Sequence, residues 1–166
     1  MTAVDRDEVV REVYAQFGLA LYAAQVLEHG LANAMAFSAI ASDRLPTLED
    51  YDAFLAQKLD RTLGGLIKDL RDHVEIDSAL ETILKVALLQ RNWLAHRYFR
   101  ERAEVFVSNH GCESMIRELQ AAQELFEQAD AALEHVVGEA AVKIGVTQAR
   151  IDAYVAKVMQ CSEDAG

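Results

Sequence analysis

Arg91-Asn92-Trp93-Leu94-Ala95-His96-Arg97-Tyr98-Phe99 lies late in a strongly helical segment, and its reading decides the fold. It holds the chain's one tryptophan, a histidine, two arginines and two further aromatics. Upstream, heptad spacing through Leu80, Leu84 and Ala87 defines an apolar stripe whose next positions are Arg91, Leu94 and Tyr98. An arginine therefore stands where a leucine is expected. Charged side chains are rarely buried without a partner, so Arg91 requires one.

A matching irregularity lies in the first third of the chain. Phe17, Leu21, Ala24, Glu28, Leu31 and Met35 follow one another at alternating steps of four and three. That spacing predicts a helix from about Asp5 to Ile40 packed lengthwise on a neighbour. Glu28 interrupts this stripe as Arg91 interrupts the other, so the two are expected to pair across a helix–helix seam. Such a carboxylate would also orient the guanidinium.

The segment Ser42 to Pro46 is a break, because proline disfavours helix in the residue before it. Thr47-Leu48-Glu49-Asp50 resembles a capping box and opens a second helix with apolar positions Leu48, Tyr51, Leu55, Leu59, Leu63, Leu66 and Leu70. Within it, Gly64-Gly65 predicts a kink or an early end. Ser78-Ala79-Leu80-Glu81 reads as a capping box for the third helix, which carries the central stretch through about Phe99. A loop over about Arg102 to Gly111 follows, with Val105-Phe106-Val107 as an apolar plug. The fourth helix, about Cys112 to Ala141, has the most regular stripe: Met115, Leu119, Ala122, Phe126, Ala129, Leu133, Val136 and Ala140.

No strand pattern or internal repeat interrupts this succession. The expected fold is all-α, a bundle of four main helices with a short C-terminal helix. At 166 residues the chain reads as one domain, 1–166. Its bundle core spans about 5–141, the last helix 147–160 and a tail 161–166. Ile151, Tyr154, Val155 and Val158 give that last helix an apolar face. Hydrophobic content of 52% with one proline argues for a folded chain rather than low complexity.

The N-terminus shows no basic region followed by an apolar run, and no stretch approaches a membrane span. Cys112 and Cys161 have neither scaffold density nor metal-ligand spacing, which predicts a cytoplasmic protein. A net charge of −11 argues against non-specific nucleic-acid binding. Residues 91–102, however, carry four arginines against one glutamate, a net of +3 that leaves −14 for the rest. Arg97, Arg100 and Arg102 are the candidates to face a phosphate backbone. Cations suiting the end of a helix dipole are the commoner reading of such an island.

The histidines exclude several chemistries. His29, His73, His96, His110 and His135 are too far apart for a helical two-histidine metal site. Leu70, Trp93, Val107 and Ala132 stand three residues before the last four, so the Glu-x-x-His pairs of carboxylate-bridged metal bundles are missing. No metal and no cofactor is expected. What remains is Arg91, Asn92, His96 and Tyr98. An always-charged planar fork near a titratable ring suits a phosphodiester. The guanidinium can stabilise charge on phosphorane oxygens, and the imidazole can move a proton at the 2′-hydroxyl or the leaving oxygen.

Arg91-Asn92-Trp93-Leu94-Ala95-His96-Arg97-Tyr98 resembles the R-N-x-L-x-H-x-Y signature of the HEPN-domain family. The likeness is greatest to the toxins paired with a minimal nucleotidyltransferase antitoxin. The resemblance implies a homodimer whose two motifs meet in a cleft and cleave RNA without metal. It implies catalytic roles for Arg91 and His96, with Asn92 supporting them, and Tyr98 as the tyrosine that the antitoxin adenylylates. The alternative is a non-catalytic helical interaction and dimerisation module in which Arg91 and His96 are structural.

Overall fold

The computed structural model describes residues 6–41 and 48–143 together with Ala149. Six helices follow in the order α1 (Arg6–Ala41), α2 (Leu48–Leu59), α3 (Leu63–Leu70), α4 (Ser78–His96), α5 (Tyr98–Glu101) and α6 (Asn109–Lys143). A short 3₁₀ turn, Val105–Val107, precedes α6. The described residues contain no strand, and the chain is all-α. The expected C-terminal helix over 147–160, the tail and the break at Ser42–Pro46 lie outside the described residues, Ala149 excepted.

The long helices α1 and α6 run parallel. Arg6 at the start of α1 donates to Asn109 at the start of α6 (3.3 Å), and further along Gly30 sits against Asp130 and Leu133. α4 is antiparallel to both. Its Arg91 meets Glu28 of α1, and beyond its end Tyr98 and Arg102 meet Met115 and Glu118 of α6. Together with α3, which contributes Leu63, Leu66, Ile67 and Leu70, the three helices enclose one core. From α1 it takes Val13, Ala20, Leu27 and Leu31, from α4 Leu84, Ala87 and Leu94, and from α6 Met115, Leu119, Phe126 and Leu133. On α4 and α6 these are the stripes that heptad spacing defined, with Ala122 and Ala129 also buried and Val136 partly so. On α1, Ala24, Leu31 and Met35 of the expected stripe are buried, whereas Phe17 and Leu21 are only partly buried and the fully buried line passes through Val13, Ala20 and Leu27.

Three details differ from the sequence reading, each for a local physical reason. The second helix is two helices, and the break precedes the glycine pair instead of coinciding with it. Thr62 caps α3, its hydroxyl accepting from the Gly65 amide at 3.2 Å, so the pair occupies the first turn of a new helix. At α4 the cap is Asp77 rather than Ser78. The Asp77 carboxylate accepts from the Leu80 amide at 2.7 Å, placing a negative charge at the positive end of the helix. Glu81, no longer needed in a capping box, instead holds Arg71 at 2.6 Å.

The third difference shapes the central stretch. α4 ends at His96, one residue before a dislocation at Arg97 (φ −135°, ψ −20°), and a single further turn forms α5. The dislocation places Tyr98 in an aromatic cluster, edge-on to Trp93 with centroids 4.8 Å apart and stacked on Phe17 at 5.8 Å. Only Phe106 of the expected apolar plug packs on the core; Val105 and Val107 are exposed. Arg6 donates to the Phe106 carbonyl at 2.9 Å and so ties this turn to the start of α1.

Candidate functional site

Arg91 leaves α4 on the side that faces α1. Its Nε stands 3.3 Å from Glu28 Oε1, with side-chain exposures of 28% and 19%. The approach is angled, so Oε1 is buried within ion-pair distance yet accepts no hydrogen bond. The two charges thus share a half-dry seam, where their attraction is stronger than in bulk water.

Asn92 and His96 are exposed, and neither makes a hydrogen bond or ion pair among the described residues. Five helical positions separate Arg91 from His96, about 140° around the axis. Within one chain the guanidinium and the imidazole therefore face different ways, and no contact joins them. His96 shares its outward face with Asn92 and Leu89, and Val86 lies about 80° further round. Leu89 and Val86 are exposed apolar side chains.

Tyr98 is the least accessible of the site residues. Its ring is 1% exposed, and its hydroxyl donates to the Met115 carbonyl of α6 at 3.2 Å. Burial, reinforced by the Glu118 carboxylate, pushes the phenol well above its ordinary value. As a modification site the hydroxyl is closed off in this conformation.

The basic island is mostly neutralised from within. Arg102 is held by Glu118 through two hydrogen bonds of 2.8 and 2.9 Å, and its guanidinium lies over the Trp93 ring at 5.0 Å. The bond to Glu118 holds the Arg102 pKa above its ordinary value. Arg97 stands 3.8 Å from Glu101, which also accepts from the Trp93 indole at 2.7 Å. Arg100 is exposed and has no ion pair among the described residues. Of the three arginines expected to face RNA, Arg102 is committed to its own chain, Arg97 is loosely held, and Arg100 is available.

Sequence reasoning missed Glu118 and Glu101, the two carboxylates that organise this end of the bundle. Glu118 is 16 residues from Arg102 on another helix, and no local pattern links them. Glu101 lies eight residues from Trp93, across the dislocation at Arg97 that the helical pattern did not reveal.

Among the described residues, no group of three or more histidine, cysteine, aspartate or glutamate side chains is placed to hold a metal. No described helix is long and apolar enough to cross a membrane. No protein-family model, curated protein or solved structure matches the chain.

Proposed function

We propose that the chain is a HEPN-like, metal-independent endoribonuclease that acts as a homodimer in the cytoplasm. The observation that carries this reading is His96, an exposed imidazole with no internal partner among the described residues. Around it Trp93, Arg97 and Arg102 are all engaged by carboxylates of their own chain. A titratable ring left free at a helix end, beside a free amide at Asn92, is suited to a substrate or a partner.

Dimerisation answers the divergence of Arg91 and His96 around the helix. Packing two copies through the exposed Val86 and Leu89 would bring two outward faces of α4 together, so that the cleft contains both imidazoles. One imidazole takes the proton of the 2′-hydroxyl as that oxygen bonds phosphorus. The departing 5′-oxygen takes a proton from the second, leaving a cyclic phosphate and a 5′-hydroxyl. The Arg91 terminal nitrogens, which make no hydrogen bond among the described residues, would reach the phosphorane oxygens while Glu28 steadies Nε.

As a toxin of a HEPN/minimal nucleotidyltransferase pair, the chain would meet its antitoxin at Tyr98. The buried hydroxyl requires α5 to separate from α6 before an adenylyl group could be attached. The non-catalytic module remains as a second reading because of one specific observation. Arg91, Arg97 and Arg102 all pair within the chain, which weakens the grip on a polyanion.

The test compares wild type, His96→Ala and Arg91→Ala for cleavage of single-stranded RNA in EDTA, with melting temperatures and solution mass. Metal-free cleavage by a dimer, abolished in a well-folded His96→Ala protein, is the expected result. No cleavage at any concentration, with Arg91→Ala melting far below wild type, would leave the module.

A further inference from the structure

One turn back from His96, α4 borders a groove of about 450 Å³ between α4 and α6. This lies within the range of about 300–1,000 Å³ typical of small-molecule sites. Gln90, Trp93 and Arg102 line one side, with Glu118, Ala121 and Leu125 of α6 opposite. From these side chains we infer that the groove is a nucleobase subsite. The inference rests on the ribonuclease reading only for naming the ligand as part of an RNA.

Three properties point to a flat heteroaromatic ring. The first is a rigid planar cation. Two of the three Arg102 nitrogens are bound to Glu118, and the guanidinium lies against Trp93, so it is held as a plate rather than a mobile charge. Bases stack on such guanidinium planes and on indole rings. The second is Gln90, half-buried at the groove wall, whose amide makes no hydrogen bond among the described residues. A side-chain amide offers an adjacent donor and acceptor, the pair presented by a base edge. The third is the apolar remainder, Leu125 with Ala121 and Ala122, which would exclude water from one face of a bound ring.

The position fits the reaction as well. Trp93 precedes His96 by three residues, roughly 4.5 Å along the axis and about 60° around it. A base held in the groove would fix one nucleotide next to the imidazole. The Arg102–Glu118 fork, which removes Arg102 from backbone binding, thereby gains a role as the floor of a base pocket.

The chain's single tryptophan lines this groove, so its fluorescence reports occupancy directly. The probes are AMP, GMP, CMP and UMP, with ribose 5-phosphate as the control that lacks a base, titrated into the full chain. At least one nucleotide should change Trp93 emission saturably, and ribose 5-phosphate should not. Ala121→Leu, a substitution at an exposed helix position that fills the groove, should abolish the change. Gln90→Leu should weaken binding by about tenfold through loss of the amide. Arg102→Lys keeps the charge opposite Glu118 but removes the plane, and should also weaken binding.

An equal response to ribose 5-phosphate, unaltered binding by Ala121→Leu, or no response to any nucleotide overturns the subsite. Saturable base binding without RNA cleavage sustains the subsite and counts against the ribonuclease. Cleavage without base binding does the reverse.

Discussion

The Tyr98 hydroxyl donates to the Met115 carbonyl at 3.2 Å and thereby joins the turn after α4 to the first turns of α6. Met115 lies inside α6, where its carbonyl keeps the helical amide four residues on, so removing the donor costs one hydrogen bond without orphaning the acceptor. Tyr98→Phe should lower unfolding stability by about 0.5–1.5 kcal/mol, measured by urea denaturation at neutral pH.

The same bond gives a pH signature. Burial raises the folded-state pKa of Tyr98 above the ordinary phenol value of about 10, so the folded chain retains a proton that the unfolded chain releases. The contribution is fully present below pH 10 and is lost as pH rises beyond it, by up to about 1.4 kcal/mol per unit. Wild type should therefore lose stability between pH 10 and 12 more steeply than Tyr98→Phe. Parallel slopes for the two proteins would contradict the burial of the phenol.

Arg91 and Glu28 should show coupling in a double-mutant cycle. Arg91→Met alone strands a partly buried carboxylate and should cost about 1–3 kcal/mol. Adding Glu28→Gln removes that stranded charge and should recover part of the loss. Strict additivity of the two substitutions, read from denaturation midpoints, would mean that the seam charges do not sense each other.

Two glycines should respond with opposite signs. A Cβ at Gly18 meets nothing, and the residue lies inside α1, so Gly18→Ala should stabilise by about 0.5–1 kcal/mol. A Cβ at Gly111 would collide with the Val105 carbonyl, a backbone atom held by the turn before α6. Gly111→Ala should destabilise by about 1–3 kcal/mol. Thermal melts of the two variants decide both.

The heptad stripes made the long helices legible. The reading of about Asp5 to Ile40 lies one residue from the observed Arg6–Ala41, because periodic burial over ten turns leaves little latitude. The 3.3 Å approach of Glu28 and Arg91 was foreshadowed in the same way, each charge interrupting an apolar seam. The dislocation at Arg97 was not legible, since Trp93, Leu94 and Tyr98 continue a helical spacing and only tertiary aromatic packing moves Tyr98 off the axis of α4. The pairing of Arg102 with Glu118 was hidden for a related reason. Its partner is fixed by how α4 and α6 align, and nothing local to either residue encodes that alignment.

The parallel alignment of α1 and α6 has a consequence for how the chain is made. Contacts such as that of Arg6 with Asn109 close a loop of 103 residues, so the first helix leaves the ribosome long before its principal neighbour exists. Until α6 is complete, the apolar flank formed by Val13, Ala20, Leu27 and Leu31 has only α2–α4 to lean on. Nascent chains ending before α6 are thus incomplete cores with an open side. Chaperone engagement should be strongest over that interval of synthesis and should fade as the last turns of α6 emerge.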